Sequence, residues 1–322
     1  MNILITGSAG FIGFHLVKKL SIFNNYKIFG IDNINNYYDV KLKKDRLKIL
    51  SKIKNFQFSK IDITNQSRLN KYFSKNKFHI VINLAAQAGV RDSITDPNKY
   101  FKNNILGFYN IINLSRTYNI KHFLFASTSS VYGDSLDFPL SEISNTDKPK
   151  SFYAASKKTN ETISFSFSNI YKMRITGLRF FTVYGPYGRP DMAYYSFTKS
   201  IVENRTIELY NKGNHFRDFT YIDDIVNSIS KIIIKKENKK KLHNIFNIGF
   251  GKSINIIELI KLIEKESKNK AKIKLVSIKL GDVKKTHSNI SKLSKEIGYH
   301  PKTTLAQGMS KFYNWFKIYH KI

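Results

Sequence analysis

Five short runs rich in apolar residues recur through the first half of the chain, at 2–6, 27–31, 79–84, 123–126 and 174–181, and a sixth segment, 55–60, also reads as a strand. Apolarity sustained over a few residues predicts strands buried on both faces, the kind found in parallel sheets. Between these runs, apolar positions return every three or four residues, which predicts helices over 14–23, 41–52, 66–74, 97–118 and 151–171. Strand and helix in strict alternation predict an α/β fold built on a doubly wound parallel sheet.

After residue 181 the rhythm breaks. Residues 182–190 contain Gly185, Pro186, Gly188 and Pro190 and read as a loop, so the domain change is set here: 1–181 as the first domain, 182–322 mainly as a smaller α/β lobe. The second part reads as a helix over 193–203, a strand over 207–210, a turn over 217–224 leading into a helix to 234, and a strand over 245–248. The segment from about 220 to 250 is expected to return to the main sheet. A helix over 255–267, a strand over 273–276, a loop at 280–282 and a last helix from Leu305 complete it.

At 322 residues the chain is long enough for a dinucleotide fold plus a lobe. Its formal net charge of +31 invites a nucleic-acid or anionic-membrane reading. The lysines, however, are spread over almost every segment, so the charge reads as compositional bias and nucleic acid is not expected as a partner. The densest run, 235–241, reads as a solvated loop. Zero cysteines exclude disulfides, thiolate metal sites and cysteine nucleophiles, and no metal is expected. No window approaches the apolar length of a membrane helix, and the first residues run straight into a glycine loop; a soluble, cytoplasmic protein is expected.

The candidate chemistry falls at strand ends. Gly7, Gly10, Phe11, Ile12 and Gly13 follow the first strand and open the first helix, a Rossmann-type arrangement in which glycines permit a tight turn, close pyrophosphate approach and helix packing. The G-x-x-G-x-x-G spacing departs from G-x-G-x-x-G but still presents a helix N-terminus. Asp32 ends the second strand, where a carboxylate accepts from ribose hydroxyls and repels a 2'-phosphate, which favours NAD over NADP. Asp62 and Ile63 end the third strand, where an adenine would lie. Leu84, Ala85 and Ala86 end the fourth, where small residues let a cofactor pass. Tyr153 and Lys157 stand one helical turn apart, a phenol and a cation that can stabilise its ionised form. Tyr-x-x-x-Lys also occurs at Tyr37/Lys41, Tyr195/Lys199 and Tyr313/Lys317. Only Tyr153 follows a strand that ends in hydroxyls, Ser127, Thr128, Ser129 and Ser130.

With these motifs the chain resembles the extended short-chain dehydrogenase/reductase family, and within it the nucleotide-sugar epimerases that act on UDP-glucuronate. The likeness runs essentially end to end. It rests also on Gly30–Asn33 with Tyr37, Tyr38 and Asp39, on residues 85–91, and on 178–186 with 189–193. The tract around Thr182 is the most specific of these, and many related sugar-nucleotide enzymes carry Asn at that position. One tract departs: Thr286, His287, Ser288 and Asn289 stand where an acidic Thr-x-Ala-Asp is usual.

The resemblance implies an isomerase with a tightly held NAD, converting UDP-glucuronate to UDP-galacturonate through a 4-keto intermediate, for surface polysaccharide precursors. It implies that Tyr153 takes the 4-hydroxyl proton, that Lys157 binds the nicotinamide ribose and lowers the phenol pKa, and that Thr128 bonds the 4-oxygen. It places Ser129, Ser130, Thr182 and Arg189 near the uronate, and Gln87 and Arg91 on the substrate. Arg217 and Asp282 would meet the diphosphate and uridine ribose, with Met192 against the uracil. Related dehydratases carry Asp-Glu where Ser129 and Ser130 stand. Helices 97–118 and 151–171 resemble a four-helix homodimer interface. Two alternatives stay open: a 4-epimerase of neutral or N-acetylated UDP-sugars, and a catalytically silent NAD-binding regulator.

Overall fold

A computed structural model describes residues 1–236, 238, 241–277 and 281–322. Part of the 235–241 run, and Leu280 of the 280–282 loop, lie outside the described residues. Seven strands form one parallel sheet: β1 (Asn2–Thr6), β2 (Lys27–Asp32), β3 (Phe56–Lys60), β4 (Ile80–Asn83), β5 (His122–Thr128), β6 (Ile175–Phe180) and, late in the chain, the strand His243–Ile248 beside β6. The spatial order is His243–Ile248, β6, β5, β4, β1, β2, β3. The chain therefore reverses direction at β1, whose neighbours are β2 and β4, and leaves a crevice beyond their carboxyl ends. Thr6 bridges that crevice, donating from its hydroxyl to Asn83 Oδ1 at 2.6 Å and accepting the Ala85 N–H at 3.0 Å.

Alternation along β1 explains the two core layers. Ile3 and Ile5 face a cluster with Phe14, Val17, Ile225 and Ile229, whereas Leu4 faces Phe29, Val81, Phe108 and Phe125. Each such side chain contributes about 1.5–3 kcal/mol on burial, which is why these positions are apolar.

A smaller three-stranded sheet combines β7 (Thr182–Tyr184), β9 (Phe216–Tyr221) and β11 (Ser253–Asn255), and a two-stranded one pairs β8 (Thr206–Tyr210) with β12 (Lys272–Val276); His243–Ile248 is β10. Two expectations change here. Residues 182–184, read as loop, pair in parallel with Phe219–Tyr221, and 216–221, read as turn, is a strand. The reason is Asp218: fully buried, it accepts from the backbone N–H of Phe250, Gly251 and Ser288 and from the Ser288 hydroxyl, so its charge is satisfied inside the sheet. Ser288 thus serves the fold in the departed tract, and the Thr286 hydroxyl accepts the Asp218 N–H.

The helix expected over 97–118 is interrupted. Pro97–Tyr100 runs into a π-helical turn, Phe101–Leu106, before the α-helix Gly107–Thr117. Buried Asn104 explains the widening: its amide donates to the Gln87 carbonyl at 2.9 Å and to Ser156 Oγ at 3.0 Å, and its oxygen accepts the Gln87 N–H at 2.7 Å. The register shift thereby ties this helix to the loop after β4 and to the helix bearing Tyr153.

Candidate active site

The first helix, Phe11–Leu20, begins three residues earlier than its apolar pattern suggests, with Gly10 as N-cap and no side chain to cap it. Phe11, Ile12 and Gly13 therefore form its first turn, and their N–H groups suit an anion. The glycines are dictated by contact: a Cβ on Gly13 would stand 2.2 Å from the Gly7 carbonyl oxygen, and Gly7 has a φ of +70° with Ala85 N 2.9 Å from a built Cβ. Asp32, 8% exposed, accepts Ala9 N–H at 3.2 Å and Ile34 N–H at 2.7 Å. Burial raises its pKa, against the pull of those N–H groups and of the Lys43 ammonium. A glycine cradle, a free helix N-terminus and a strand-end carboxylate fit a dinucleotide.

Opposite them, Ser151 opens the helix Phe152–Tyr171, its Oγ accepting the Ala154 N–H at 3.1 Å. That cap sets the helix phase so that Ala154, Ser156, Lys157, Asn160 and Glu161 turn inward. Glu161 is locked by Arg179, with Nε 2.9 Å and a terminal nitrogen 2.8 Å from its two oxygens, and by the Ser127 hydroxyl at 2.6 Å. Thus β5, β6 and the helix are fixed under Thr128.

The Tyr153 pKa is raised by burial, with the neighbouring Thr128 hydroxyl and the Arg189 charge pulling it back. Lys157 lies one turn beyond Tyr153 on the same helix. Its Nζ donates to the Ala126 carbonyl at 3.0 Å, and burial lowers its pKa to about 8. The shifts converge: burial moves the phenol up and the ammonium down, so cofactor and substrate must supply the charge that brings the phenol into a working range. Of the other three Tyr-x-x-x-Lys pairs, none brings both members to this cleft. Lys41 pairs with Asp45, Lys199 with Glu203, and Tyr313 packs in the core.

One cleft of about 830 Å³ collects Gly7, Gly10, Phe11, Ile12, Gly13, Asp32, Ile63, Leu84, Ala85, Ala86, Gln87, Arg91, Thr128, Ser129, Ser130, Tyr153, Lys157, Thr182, Arg189, Met192, Arg217 and Asp282. Every candidate catalytic, cofactor-binding or substrate-binding residue read from the sequence is there except Asp62. That carboxylate is turned to its own neighbourhood, accepting from Asn33 Nδ2 at 2.8 Å and from the N–H and hydroxyl of Thr64. At the far end Arg91 meets Asp282 at 3.2 Å and covers the Tyr210 ring at 4.6 Å. Burial lowers the Arg217 pKa, and Asp282 opposes the shift while Arg91 adds to it; an added anion would relieve both arginines.

Sequence reasoning gave no site role to four residues that the structure brings to or beside the cleft. Lys43 (5% exposed) and Arg46 (0%) lie buried on the helix Val40–Leu50. Their spacing with Leu42 and Leu50 puts them on one face, and that was the available signal. Tyr37 and Asp191 also line the cleft, around Arg189. Among the described residues no group of ligating side chains could hold a metal ion, and no helix is long and apolar enough to cross a membrane.

The chain as a whole is similar to known proteins. Residues 3–249 match the NAD dependent epimerase/dehydratase family. The chain is 44% identical to Protein CapI of Staphylococcus aureus over the whole of both chains. It is 40% identical to UDP-glucuronate 4-epimerase 4 of Arabidopsis thaliana, over 99% of this chain and 76% of that one. The crystal structure of UDP-glucuronic acid 4-epimerase from Bacillus cereus, in complex with UDP-glucuronic acid and NAD, superposes with a TM-score of 0.94. It is 33% identical and covers 99% of this chain and 100% of that one.

Proposed function

The chain belongs to the NAD dependent epimerase/dehydratase family, an NAD-dependent isomerase of Rossmann type, and from that premise we propose that it interconverts UDP-glucuronate and UDP-galacturonate by inversion at C4. The observation that carries this reading is the neighbourhood of Tyr153: two neutral serines, 129 and 130, follow Thr128 where an eliminating enzyme needs carboxylates, and Arg189 shares the chamber. Relatives named for this reaction, and a solved structure holding this sugar nucleotide, support it.

In this mechanism the glycine cradle and the first turn of Phe11–Leu20 hold the pyrophosphate, and Asp32 holds the adenosine ribose. When bound, NAD would supply a reversible hydride acceptor for the sugar C4. Tyr153 accepts the proton of the 4-hydroxyl as the C4–H bond breaks, and returns it after the 4-keto sugar has presented its other face. Thr128 bonds the 4-oxygen and steadies the phenolate. Lys157, redirected by a bound ribose, adds positive charge. Arg91 and Arg217 hold the diphosphate, Asp282 the uridine ribose, and Met192 and Gln87 line the path of the nucleotide and sugar. A 4-keto group beside the C5 carboxylate makes a β-keto acid, so Ser129, Ser130, Thr182 and Arg189 must hold that carboxylate out of line for carbon dioxide loss.

We further propose a homodimer, because Phe101, Leu106 and Tyr109 on one helical segment and Phe165, Ile170 and Tyr171 on the other are exposed. We also propose a cytoplasmic role in making surface-polysaccharide precursors. The deciding experiment incubates the enzyme with UDP-glucuronate and follows the sugar by proton NMR. UDP-galacturonate should appear at unchanged carbon count, and Tyr153→Phe should slow it by roughly 10²–10⁴-fold. Full-rate inversion by that variant, or a pentose product from the wild type, would refute the reading.

A further inference from the structure

We infer that Asp191 is a specificity-determining residue: it fixes how much positive charge, and which edge of the Arg189 guanidinium, the site offers to the C5 substituent of the sugar. The inference deepens the proposed uronate reaction and rests on it.

The geometry is a closed clamp. Arg189 Nε donates to Asp191 Oδ1 at 3.0 Å, and a terminal nitrogen donates to Oδ2 at 2.5 Å, so one whole edge of the guanidinium is spent on this carboxylate. Only Pro190 separates the two residues, and its ring restricts the turn that joins them. The Tyr37 ring lies 5.7 Å from the guanidinium carbon, and its hydroxyl donates to Asp191 Oδ2 at 3.4 Å. Tyr37 in turn has a defined seat: a Cβ at Gly89 would approach its hydroxyl to 2.3 Å, and the Lys99 ammonium lies 5.6 Å from its ring. Arg189 acts electrostatically on both Tyr37 and Tyr153.

A clamped arginine and a free one treat a uronate differently. A free guanidinium would offer a fork and a full charge, binding a carboxylate far more strongly than a hydroxymethyl group. Clamped, it presents its remaining terminal nitrogen, with Asp191 cancelling most of its charge. A substrate carboxylate then becomes the third member of a minus-plus-minus row and gains less from it. Because strong ground-state binding lowers KM without raising kcat, a moderated arginine costs turnover little. It also leaves the chamber open to UDP-sugars whose C5 group is neutral.

The test uses the NAD-loaded enzyme with Asp191→Asn, which keeps an acceptor oxygen and removes the charge, and Asp191→Glu, which keeps the charge. KM and kcat are measured for UDP-glucuronate, and UDP-glucose is read as substrate or as competitive inhibitor. In Asp191→Asn the preference for UDP-glucuronate over UDP-glucose in KM or Ki should rise about tenfold, with no rise in kcat. Asp191→Glu should return the preference toward that of the wild type. An unchanged or reduced preference in Asp191→Asn overturns the inference, as does an equal loss of affinity for both sugars, which would mark a merely structural residue. The wild type guards the premise: if it leaves UDP-glucuronate untouched while turning over UDP-glucose, the proposed function falls and the inference with it.

Discussion

Arg46, with no exposed surface, donates to the Tyr187 carbonyl at 2.6 Å from one terminal nitrogen and to the Ala9 carbonyl at 2.8 Å from the other. It also reaches the Gly188 carbonyl at 3.3 Å and the Tyr38 hydroxyl at 2.6 Å. One side chain thus joins the glycine loop to the loop that carries Arg189. His15 adds a second tie, its Nε2 lying 2.8 Å from the Pro186 carbonyl; burial lowers its pKa to about 3, so the ring is neutral and donates. Arg46→Met would leave three carbonyls without this donor, at a cost of about 2–4 kcal/mol. The urea midpoint should fall accordingly, and NAD titration should show weaker binding, since Ala9 belongs to the cradle. Unchanged NAD affinity would mean that the loop holds itself.

The pair Glu161 and Arg179 sits under the catalytic strand end, both partners about 5% exposed or less. Removing one partner of such a pair leaves an uncompensated buried charge, so Glu161→Gln should destabilise by about 3–5 kcal/mol. The double change Glu161→Gln with Arg179→Met should recover part of that loss in denaturant unfolding. Activity should stay low in both, because the Ser127 hydroxyl loses its charged acceptor beside Thr128. Full activity in the double variant would show that the network does not position Thr128.

The strands of the main sheet were legible because a parallel strand buried on both faces has little choice of residue, as β1 and β4 illustrate. The glycine loop was equally legible: Gly7 and Gly13 are required by backbone contacts under 3 Å, and such requirements leave a mark in sequence. What stayed hidden depended on long-range partners. Asp218 and Ser288 meet across 70 residues, and without that bond 216–221 reads as a charged turn. Asn104 produces its π-helical turn only because Gln87 and Ser156 stand in reach. The orientation of Lys157 toward Ala126, and the capture of Arg189 by Asp191, are side-chain outcomes that spacing does not encode. Asp62 lay at the right strand end, yet Asn33 and Thr64 engage its carboxylate.

Cofactor choice should turn on Asp32. Its buried carboxylate faces the ribose end of the cleft with the Lys43 ammonium nearby, and Lys43 Nζ now donates to Asn35 at 2.6 and 2.8 Å. Asp32→Ser removes the ribose acceptor and the repulsion of a 2'-phosphate together, while the lysine remains. NAD affinity should fall and the NADP-to-NAD affinity ratio should rise by roughly 10- to 100-fold, read by equilibrium titration of stripped protein. A ratio that does not move would place the discrimination elsewhere.

Lys157 should carry a measurable stability cost in the NAD-free protein. Burial lowers its pKa from 10.5 to about 8, so between those values the unfolded chain holds a proton that the folded chain has released. Stability therefore rises with pH from 8 to 10.5, and below pH 8 the folded protein bears the full cost of an enclosed ammonium, about 3 kcal/mol. Lys157→Met removes that cost and forfeits the bond to the Ala126 carbonyl, worth about 1 kcal/mol. At pH 7 the stripped variant should melt a few degrees above the stripped wild type, by about 2 kcal/mol in all, although its epimerase activity is lost. The advantage should shrink as pH climbs from 8 toward 10, because the wild-type lysine is then neutral in the fold. Thermal melts of both proteins across that range decide the matter. A variant less stable at pH 7, or an advantage that persists undiminished at pH 10, would mean that the buried ammonium is not what the fold pays for at this position.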